Sequence, residues 1–360
     1  IVPRHAFVDQ DFRTSELNRA PIGTGPFRFV RWVQARSITL EANPTYWMGR
    51  PKLDRVEVTF LPLDQQLRAL RDGKLDFAQI TQPDDWGGEV QTPEFRSAYE
   101  TAAVAASSFS VLAWNCQRGL LADKRVRTAL TSALNRPRVI EDVMKGGARP
   151  VSGPFYTTMW GADPDIAPLP FDLTKAATLL EQAGVAAVAS KRLPLEILAL
   201  EGRRGAPFDQ MMAIFRNDLE VVGVDLKVTF LAPAAFVDRL HRHDFDAAFY
   251  GWYPDIADPG PAALLHSAQI ADGTNFAGYA NPAVDRLLEA ADRATDRAAR
   301  KKAFFAVHRI FHEDQPYTVL YAPESHFAWS RRLRQVNPID VDALPPFPGV
   351  HGWWVAKAGA

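Results

Sequence analysis

Residues 246–260 read Asp-Ala-Ala-Phe-Tyr-Gly-Trp-Tyr-Pro-Asp-Ile-Ala-Asp-Pro-Gly, and this stretch decides the fold. Its first half, Ala247–Trp252, is apolar and is typical of a buried β-strand. A turn rich in Pro and Gly follows and carries two carboxylates, Asp255 and Asp258. Because α/β folds bind ligands just beyond the carboxyl ends of their core strands, Asp255 is the first candidate for a ligand contact. The alternative is that both Asp residues only form the turn, since Asp caps turns with its own side chain.

Strands and helices alternate on the amino-terminal side of this stretch. Strands are predicted at residues 193–200 and 225–231, and helices at 207–223 and 233–242. Short links between such elements indicate parallel strands joined by right-handed crossovers. Nearer the start of the chain, apolar and polar residues alternate as in half-buried antiparallel strands, at residues 24–32, 36–42 and 53–60. The sequence therefore predicts an α/β protein with mixed sheets.

Capping residues mark the predicted helix starts. Asp64, Asp123, Asp172 and Asn281 each precede a run with helical apolar spacing. The helix after Asp123 carries one apolar stripe: Val126, Ala129, Leu130, Ala133 and Leu134. Further helices are predicted at residues 137–147 and 297–313, and further strands at 75–80, 110–115, 317–321 and 350–355.

Composition excludes several classes of protein. Lys and Arg number 41 and Asp and Glu 42, so the net charge of −1 argues against a nucleic-acid partner. A single cysteine, Cys116, excludes an intramolecular disulfide but leaves the compartment open. The length of 360 residues predicts two to three domains or one large bilobed one. The sequence has no run of 18 apolar residues, so no membrane span is predicted.

Catalytic and metal sites have no sequence support. Nucleophile-elbow, Walker and dinucleotide fingerprints do not occur in the sequence, so no catalytic residue and no cofactor is predicted. His308 and His312 have metal-ligand spacing on a helix, but the neighbouring apolar stripes predict a structural role. His241 and His243 end a helix, where a cationic ring favours the dipole. We expect no metal site, and a packed rather than nucleophilic Cys116.

Four segments together carry a family pattern. Residues 23–54 hold Gly-Thr-Gly-Pro-Phe at 23–27, Trp32, Leu-Glu-Ala-Asn-Pro-Thr-Tyr-Trp at 40–47 and Pro-Lys-Leu-Asp at 51–54. The second segment, residues 67–76, reads Leu-Arg-Ala-Leu-Arg-Asp-Gly-Lys-Leu-Asp. The third consists of Asn115 and the run from Asp123 to Arg136. The fourth, residues 275–285, reads Asn-Phe-Ala-Gly-Tyr-Ala-Asn-Pro-Ala-Val-Asp. In order and spacing these segments resemble the family 5 extracellular solute-binding proteins, the periplasmic oligopeptide and dipeptide receptors of ABC importers.

The resemblance implies a bilobed periplasmic-binding-protein-like fold of the class II, or cluster C, type. Two mixed-sheet lobes would close on a ligand by hinge motion. Residues 1–105 and 333–360 are assigned to lobe I and residues 108–330 to lobe II, with hinges near 104–109 and 325–332. Family members carry a long segment before the Gly-Thr-Gly-Pro block, and the first residues, Ile-Val-Pro-Arg-His, lack an initiator Met and a signal peptide. We therefore expect a fragment that holds only part of lobe I.

The resemblance also implies roles for site residues. Asp255, carried over by position, pairs with the ligand's ammonium group, while Gly251, Trp252 and Tyr253 offer backbone groups to an extended peptide. One receptor subtype has an Arg where this chain has Phe249, which puts that mode of carboxylate binding in doubt.

Two arginines and one lobe crossing supply the other candidates. Arg203 and Arg204 follow the strand at 193–200 and are candidates for binding a carboxylate, although exposed loop arginines are common. Trp114 and Asn115 are predicted cleft residues at the lobe crossing. Core packing is the alternative for Trp114.

The sequence thus predicts a monomeric, non-catalytic binding subunit for peptides or a related small polar solute. It would act outside the cytoplasm, in the periplasm or extracellular space, with a membrane permease as partner and a signal peptide or lipid anchor in the segment that this chain lacks. The alternative is the ligand-sensing domain of a transcriptional regulator or sensor, for which a basic helix-turn-helix would be the mark. A hydrolase would need a nucleophile–base pair, and the sequence offers none.

Overall fold

The computed structural model describes residues 4–8, 11, 13–105, 108–155, 159–185, 192–253, 260–337 and 349–356. The chain divides into two compact units, which we call the terminal unit (Ile1–Val104 with Ser325–Ala360) and the central unit (Ala105–Glu324). The boundaries thus fall between Val104 and Ala105 and between Glu324 and Ser325. The assignment of these stretches as lobes that move about hinges stays a prediction.

Thirteen strands occur in the described residues: β1 Phe27–Val33, β2 Ser37–Ala42, β3 Arg55–Thr59, β4 Phe77–Ile80, β5 Tyr99–Ala105, β6 Phe109–Trp114, β7 Ala148–Arg149, β8 Leu193–Leu200, β9 Val224–Leu231, β10 Ala247–Trp252, β11 Tyr317–Ser330, β12 Leu333–Arg334 and β13 Trp354–Val355. The α-helices in the same residues are α1 Arg4–Phe7, α2 Gln66–Arg71, α3 Pro83–Gly87, α4 Pro93–Ala98, α5 Lys124–Ala133, α6 Arg136–Arg138, α7 Leu173–Gln182, α8 Ala206–Val221, α9 Pro233–His241, α10 Ala262–Leu265, α11 Pro282–Arg293 and α12 Arg297–Asp314. No helix in these ranges combines the length and the apolar composition needed to cross a bilayer.

The sheet of the central unit has the order β11-β6-β10-β8-β9. Strands β8, β9 and β10 run parallel, as the strand–helix alternation predicted, and helices α8 and α9 connect them. Strand β6 runs antiparallel to both β10 and β11, which makes the sheet mixed. The α/β class with mixed sheets is therefore confirmed.

Both faces of this sheet are covered. Along β6, Leu112 and Trp114 pack with helices α5, α7 and α8 on one side. Val111 and Ala113 pack with helices α11 and α12 on the other side. Because successive side chains of a strand point to opposite faces, a strand buried on both faces is continuously apolar, as β6 is from Val111 to Trp114. All five apolar-stripe positions of the helix after Asp123 are fully buried, as predicted.

The terminal unit contains two separate small sheets. Strands β1, β2 and β3 form an antiparallel meander, as their alternation predicted, with Phe27 opposite Ala42. Strands β12 and β13 form a two-stranded ladder. In addition, the last part of β11 pairs with β4 and β5. Strand β11 thus begins in the central unit and ends in the terminal unit.

Three of the four predicted N-caps are confirmed. The side chains of Asp123, Asp172 and Asn281 accept hydrogen bonds from backbone N–H groups in the first turns of α5, α7 and α11. The prediction of Asp64 as an N-cap was wrong, because a 3₁₀ turn at Leu63–Gln65 precedes α2 and Asp64 lies inside that turn.

Three predicted elements differ in extent. Strand β11 covers 14 residues where the sequence predicted five, because its second half, which buries Phe327, Ala328 and Trp329, pairs with strands of the terminal unit. The helix predicted at 137–147 is the single turn α6 followed by a π-helical turn at Val139–Val143. The strand predicted at 350–355 is a 3₁₀ turn, Val350–Gly352, followed by the two residues of β13.

Candidate ligand-binding site

The parallel strands β8 and β10 end at the same edge of the central sheet, which we call the upper edge. Their pairing joins Ala247 to Ile197 and Ala248 to Leu198, and within the described ladder it stops there. Strand β10 continues to Trp252, while β8 continues to Leu200 and stays paired with Leu231 of β9. The backbone of residues 249–252 therefore has a ladder partner only on its β6 side. This opening between β8 and β10 is an unpaired strand edge inside a sheet.

Antiparallel strand β6 begins at the upper edge. Ser110 lies opposite Gly251 on one side and opposite Tyr321 of β11 on the other. Burial raises the pKa of the Tyr321 phenol, whereas a hydrogen bond from its neighbour Ser110 and the positive charge of Arg203 act in the opposite direction. Tyr321 is thus a neutral hydroxyl near Arg203. Sequence reasoning missed Ser110 and Tyr321, because only strand register reveals that Ser110 lies between Gly251 and Tyr321.

The two candidate arginines lie on a cluster of aromatic rings at this edge. The guanidinium carbon of Arg204 is 4.0 Å from the centre of the Phe230 ring, and that of Arg203 is 5.7 Å from the centre of the Phe249 ring. Phe208 contacts both rings, edge-on. Within the described residues neither arginine forms an ion pair, and both are exposed. Cation–π contact therefore holds two positive charges beside the opening, neither of them paired with an acidic side chain in the part of the chain that the structure describes.

The residues at the end of β10 differ in exposure. Trp252 is half-buried and packs against the core that faces α11 and α12. Tyr253 exposes 74% of its surface, and its ring lies 3.4 Å from the place where a Cβ on Gly251 would be. The exposed Tyr253 and half-buried Trp252 can thus present aromatic surface at the upper edge. Asp255 and Asp258 lie outside the described residues, so the role proposed for Asp255 stays a prediction.

Trp114 and Asn115 lie at the opposite edge of the sheet. Because β6 is antiparallel to β10, Trp114 is paired with Ala247, the first residue of β10. Trp114 is fully buried, and its indole N–H donates to Thr318 Oγ1 at 2.9 Å. The Asn115 amide donates to the carbonyl of Phe245 at 2.9 Å and to that of residue 243. These surroundings are those of core packing, the alternative left open for Trp114, and they do not bring either residue to the upper edge.

An ion pair between an exposed arginine and a largely buried carboxylate adds charge to the upper edge that the sequence did not indicate. Ala322 and Pro323 of β11 pair with Arg149 and Ala148 of β7. The next residue, Glu324, is largely buried and forms an ion pair with Arg149. A carboxylate three residues beyond Tyr321 on the same strand is therefore paired with a third guanidinium on the neighbouring strand β7. Their spacing in sequence, 175 positions, gave no signal that they meet.

Ser152 and His308 form a serine–histidine contact between their side chains, and its geometry does not fit catalysis. Ser152 Oγ lies 3.1 Å from Nε2 of His308, but Nδ1 of the same ring accepts the backbone N–H of Asp163. The ring is therefore protonated on Nε2 and donates to the serine, so it is not a base for that hydroxyl. Burial also lowers the pKa of His308 to about 4 and raises that of the Cys116 thiol to about 11. Within the described ranges no group of three or more His, Cys, Asp or Glu side chains converges as a metal site would require.

Known proteins resemble the chain in sequence. It is 28% identical to the oligopeptide-binding protein AppA of Bacillus subtilis (strain 168) over 378 residues, which cover 99% of this chain and 67% of AppA. It is 30% identical to di/tripeptide-binding protein 2 of Pseudomonas aeruginosa (strain UCBPP-PA14) over 313 residues, 86% of this chain and 57% of that protein. The chain thus spans less than three fifths of one relative and about two thirds of the other.

Solved structures resemble it in fold. AppA of Bacillus subtilis in complex with a nonapeptide matches 99% of this chain and 72% of its own with a TM-score of 0.74, at 27% identity. DppA of Helicobacter pylori in complex with the peptide STSA matches 95% of this chain and 65% of its own with a TM-score of 0.73, at 26% identity. The fold is therefore the periplasmic-binding-protein-like fold that the sequence predicted.

The profile of one family, "Bacterial extracellular solute-binding proteins, family 5 Middle", matches residues 1–270, three quarters of the chain. Three of the four sequence segments, those within residues 23–136, lie inside this match, and the mixed sheet of the central unit agrees with it. The chain belongs to the family 5 bacterial extracellular solute-binding proteins.

Proposed function

We propose that this chain is part of the solute-binding component of an ABC importer and that it binds peptides. The observation that carries the proposal is the opening between β8 and β10, where residues 249–252 lack a ladder partner on one side. An extended peptide can add its own backbone to such an edge, as a further strand, without reading side chains. The relatives AppA and DppA, both solved with bound peptides, support this choice of ligand.

Charges at the upper edge suit the two ends of a peptide. Arg203 and Arg204 carry positive charge without an acidic partner among the described residues, and a guanidinium binds a carboxylate through two parallel hydrogen bonds. We assign the ligand's carboxylate to this pair and its ammonium group to Asp255. Trp252 and Tyr253 would stack on the ligand. Trp114 and Asn115 have no place in this arrangement, because they lie at the opposite edge.

The family also suggests the setting. Binding would occur in the periplasm or outside the cell, and the loaded protein would deliver its ligand to a membrane permease. A monomer is sufficient for this task, and no catalytic step is part of it. The sensor alternative gains nothing from the relatives, both of which are named as peptide-binding proteins.

A thermal-shift panel on the whole protein tests the proposal. The panel contains di- to pentapeptides, their N-acetylated and C-amidated forms, oligosaccharides and chelated nickel. A ligand present at about 100 times its Kd adds about 2.7 kcal/mol to the free energy of unfolding. We expect free peptides to raise the melting temperature and both blocked forms to lose most of the effect. A rise with oligosaccharides or nickel alone would contradict a peptide ligand.

Two variants in one turn separate recognition from folding. Asp255→Asn removes the charge proposed to pair with the ammonium group, and we expect binding of free peptides to weaken by about 2–5 kcal/mol. Asp258→Asn changes the same chemical group three positions away and should leave the affinity intact. Equal effects of the two substitutions, or equal affinity of Asp255→Asn for free and N-acetylated peptides, would argue against the assignment. Isothermal titration calorimetry measures the affinity of the parent protein and of both variants for the free and the N-acetylated peptide.

A further inference from the structure

The central unit contains a cavity that shares no residue with the upper-edge site. Its volume is about 320 Å³. Four prolines and the side chains of Ile140, Val151, Leu169 and Leu320 form most of its wall. Aliphatic and proline walls offer no hydrogen bonds to water, and the volume corresponds to about ten waters. Cavities of this size and character are typical of sites for small apolar ligands.

One charged side chain completes the wall. Arg136 is 7% exposed, and its Nη1 donates to the carbonyl of Val319 at 3.0 Å. Its Nη2 donates to the carbonyl of Leu169. Both hydrogen bonds therefore go to uncharged acceptors. Within the described residues Arg136 forms no ion pair. Burial lowers the pKa of Arg136 to about 10, which still leaves the group charged at neutral pH.

The described residues that line the cavity include no acidic side chain to compensate Arg136. Burial lowers the pKa of His312, with smaller contributions in the same direction from Lys175 and Arg136, while a hydrogen bond with the Ser152 backbone and the charge of Glu313 act in the opposite direction. A buried guanidinium without a carboxylate is unusual, because burying an uncompensated charge is costly. Two carbonyls satisfy part of its hydrogen-bonding capacity, but they do not neutralise it. An anion on the cavity side would supply the missing charge.

We propose that this cavity binds a small aliphatic carboxylate, with the carboxylate on Arg136 and the hydrocarbon chain against the proline and aliphatic walls. Both halves of the ligand are required: the walls exclude a polar solute, and the guanidinium disfavours a neutral or cationic one. The available volume suits a chain of about eight carbons, roughly the space of ten waters. Octanoate is therefore the probe.

Calorimetric titration of the whole protein with three probes tests the two halves separately. Octanoate supplies both the chain and the charge, butanoate the charge with a shorter chain, and 1-octanol the chain without the charge. Each buried CH₂ strengthens binding about fourfold, so octanoate should bind on the order of a hundredfold more tightly than butanoate. Octanol should bind at least about tenfold more weakly than octanoate. Equal binding of octanol and octanoate, or no octanoate binding below its solubility limit, would overturn the proposal.

Variants locate the binding to this cavity. Ile140→Trp fills the space and leaves Arg136 in place, so octanoate binding should disappear while the response to peptides persists. Val237→Trp, on the exposed face of helix α9, adds the same side chain elsewhere and should change nothing. Arg136→Lys keeps the charge without the planar fork and should weaken octanoate about tenfold. Unchanged octanoate binding in a folded Ile140→Trp protein would place the ligand elsewhere and overturn the assignment. The three-probe comparison uses the parent protein, so it still tests the proposal if a variant fails to fold.

Discussion

The imidazole of His308 should make the stability of the central unit depend on pH. The side chain is fully buried, and burial lowers its pKa from 6.5 to about 4, against smaller opposing effects from Ser152 and Asp163. Its neutral form is fixed by two contacts: Nδ1 accepts the N–H of Asp163, and Nε2 faces Ser152 Oγ. Protonation would place a second hydrogen on Nδ1, opposite an N–H donor, and would bury a charge.

The direction and size of the effect follow from these two pKa values. A group whose pKa is lower in the folded chain than in the unfolded chain stabilises the fold fully above the unfolded value. This contribution is lost as the pH falls from about 6.5 toward 4, because the unfolded chain then binds the proton first. A difference of about 2.5 pKa units at 1.36 kcal/mol each corresponds to about 3 kcal/mol, most of it lost by pH 4.

Urea unfolding between about pH 7.5 and pH 4 measures this loss in the free energy of unfolding. A variant that lacks the titrating imidazole is compared with the parent protein at each pH. His308→Gln retains one donor and one acceptor but does not titrate. Relative to the parent protein, the variant should be less stable at neutral pH and should lose about 3 kcal/mol less on acidification. His241→Gln, at an exposed position, controls for the substitution. Parallel profiles of the parent and His308→Gln, within about 0.5 kcal/mol, would refute the reasoning.

Three further substitutions test packing, capping and access to the site. In Gly153→Ala the new Cβ would lie 2.3 Å from the ring of the buried His308, so the free energy of unfolding should fall by about 1–3 kcal/mol in a urea titration. In Gly251→Ala the nearest atom to the new Cβ is 3.4 Å away, on the exposed ring of Tyr253, so the free energy of unfolding should change by less than about 0.5 kcal/mol. Peptide affinity, measured by calorimetry, should nevertheless fall if the ligand backbone lies against residue 251. Asp123→Ala removes the N-cap bond to Arg125 and should lower the free energy of unfolding by about 1 kcal/mol; an unchanged urea midpoint would show that the exposed cap is dispensable.

Local chemistry in the sequence was sufficient for most of the central unit. The bounds of β8 and β10 agree residue for residue with the strands predicted there, because apolar residues dominate each run and turn-forming residues follow it. Helices α5, α7 and α11 begin one residue after their predicted caps, since an N-cap side chain acts on the N–H groups of its own first turn.

Longer-range features were beyond local reasoning. Polar residues Glu324, Ser325 and His326 interrupt the apolar run of β11 before the buried Phe327 and Trp329, so local composition did not show that the strand continues and pairs with β4. The Glu324–Arg149 pair and the position of Ser110 between Gly251 and Tyr321 depend on register across strands far apart in sequence. Register follows from the assembled sheet, and no single segment encodes it.

The candidate site shows where the rule about strand ends holds and where it fails. Arg203 and Arg204 were predicted because they follow a strand, and Trp252 because of the family resemblance; all three lie at the upper edge because β8 and β10 are parallel. Trp114 and Asn115 were predicted as cleft residues at the lobe crossing, but they lie at the end of β6, which is antiparallel to β10, so they lie beside the beginning of β10. The rule therefore applies to strands of one direction, and the direction of β6 had to be known first. A chain segment that enters a mixed sheet through a direct connection, as β6 does from β5, carries no crossover helix to indicate that direction.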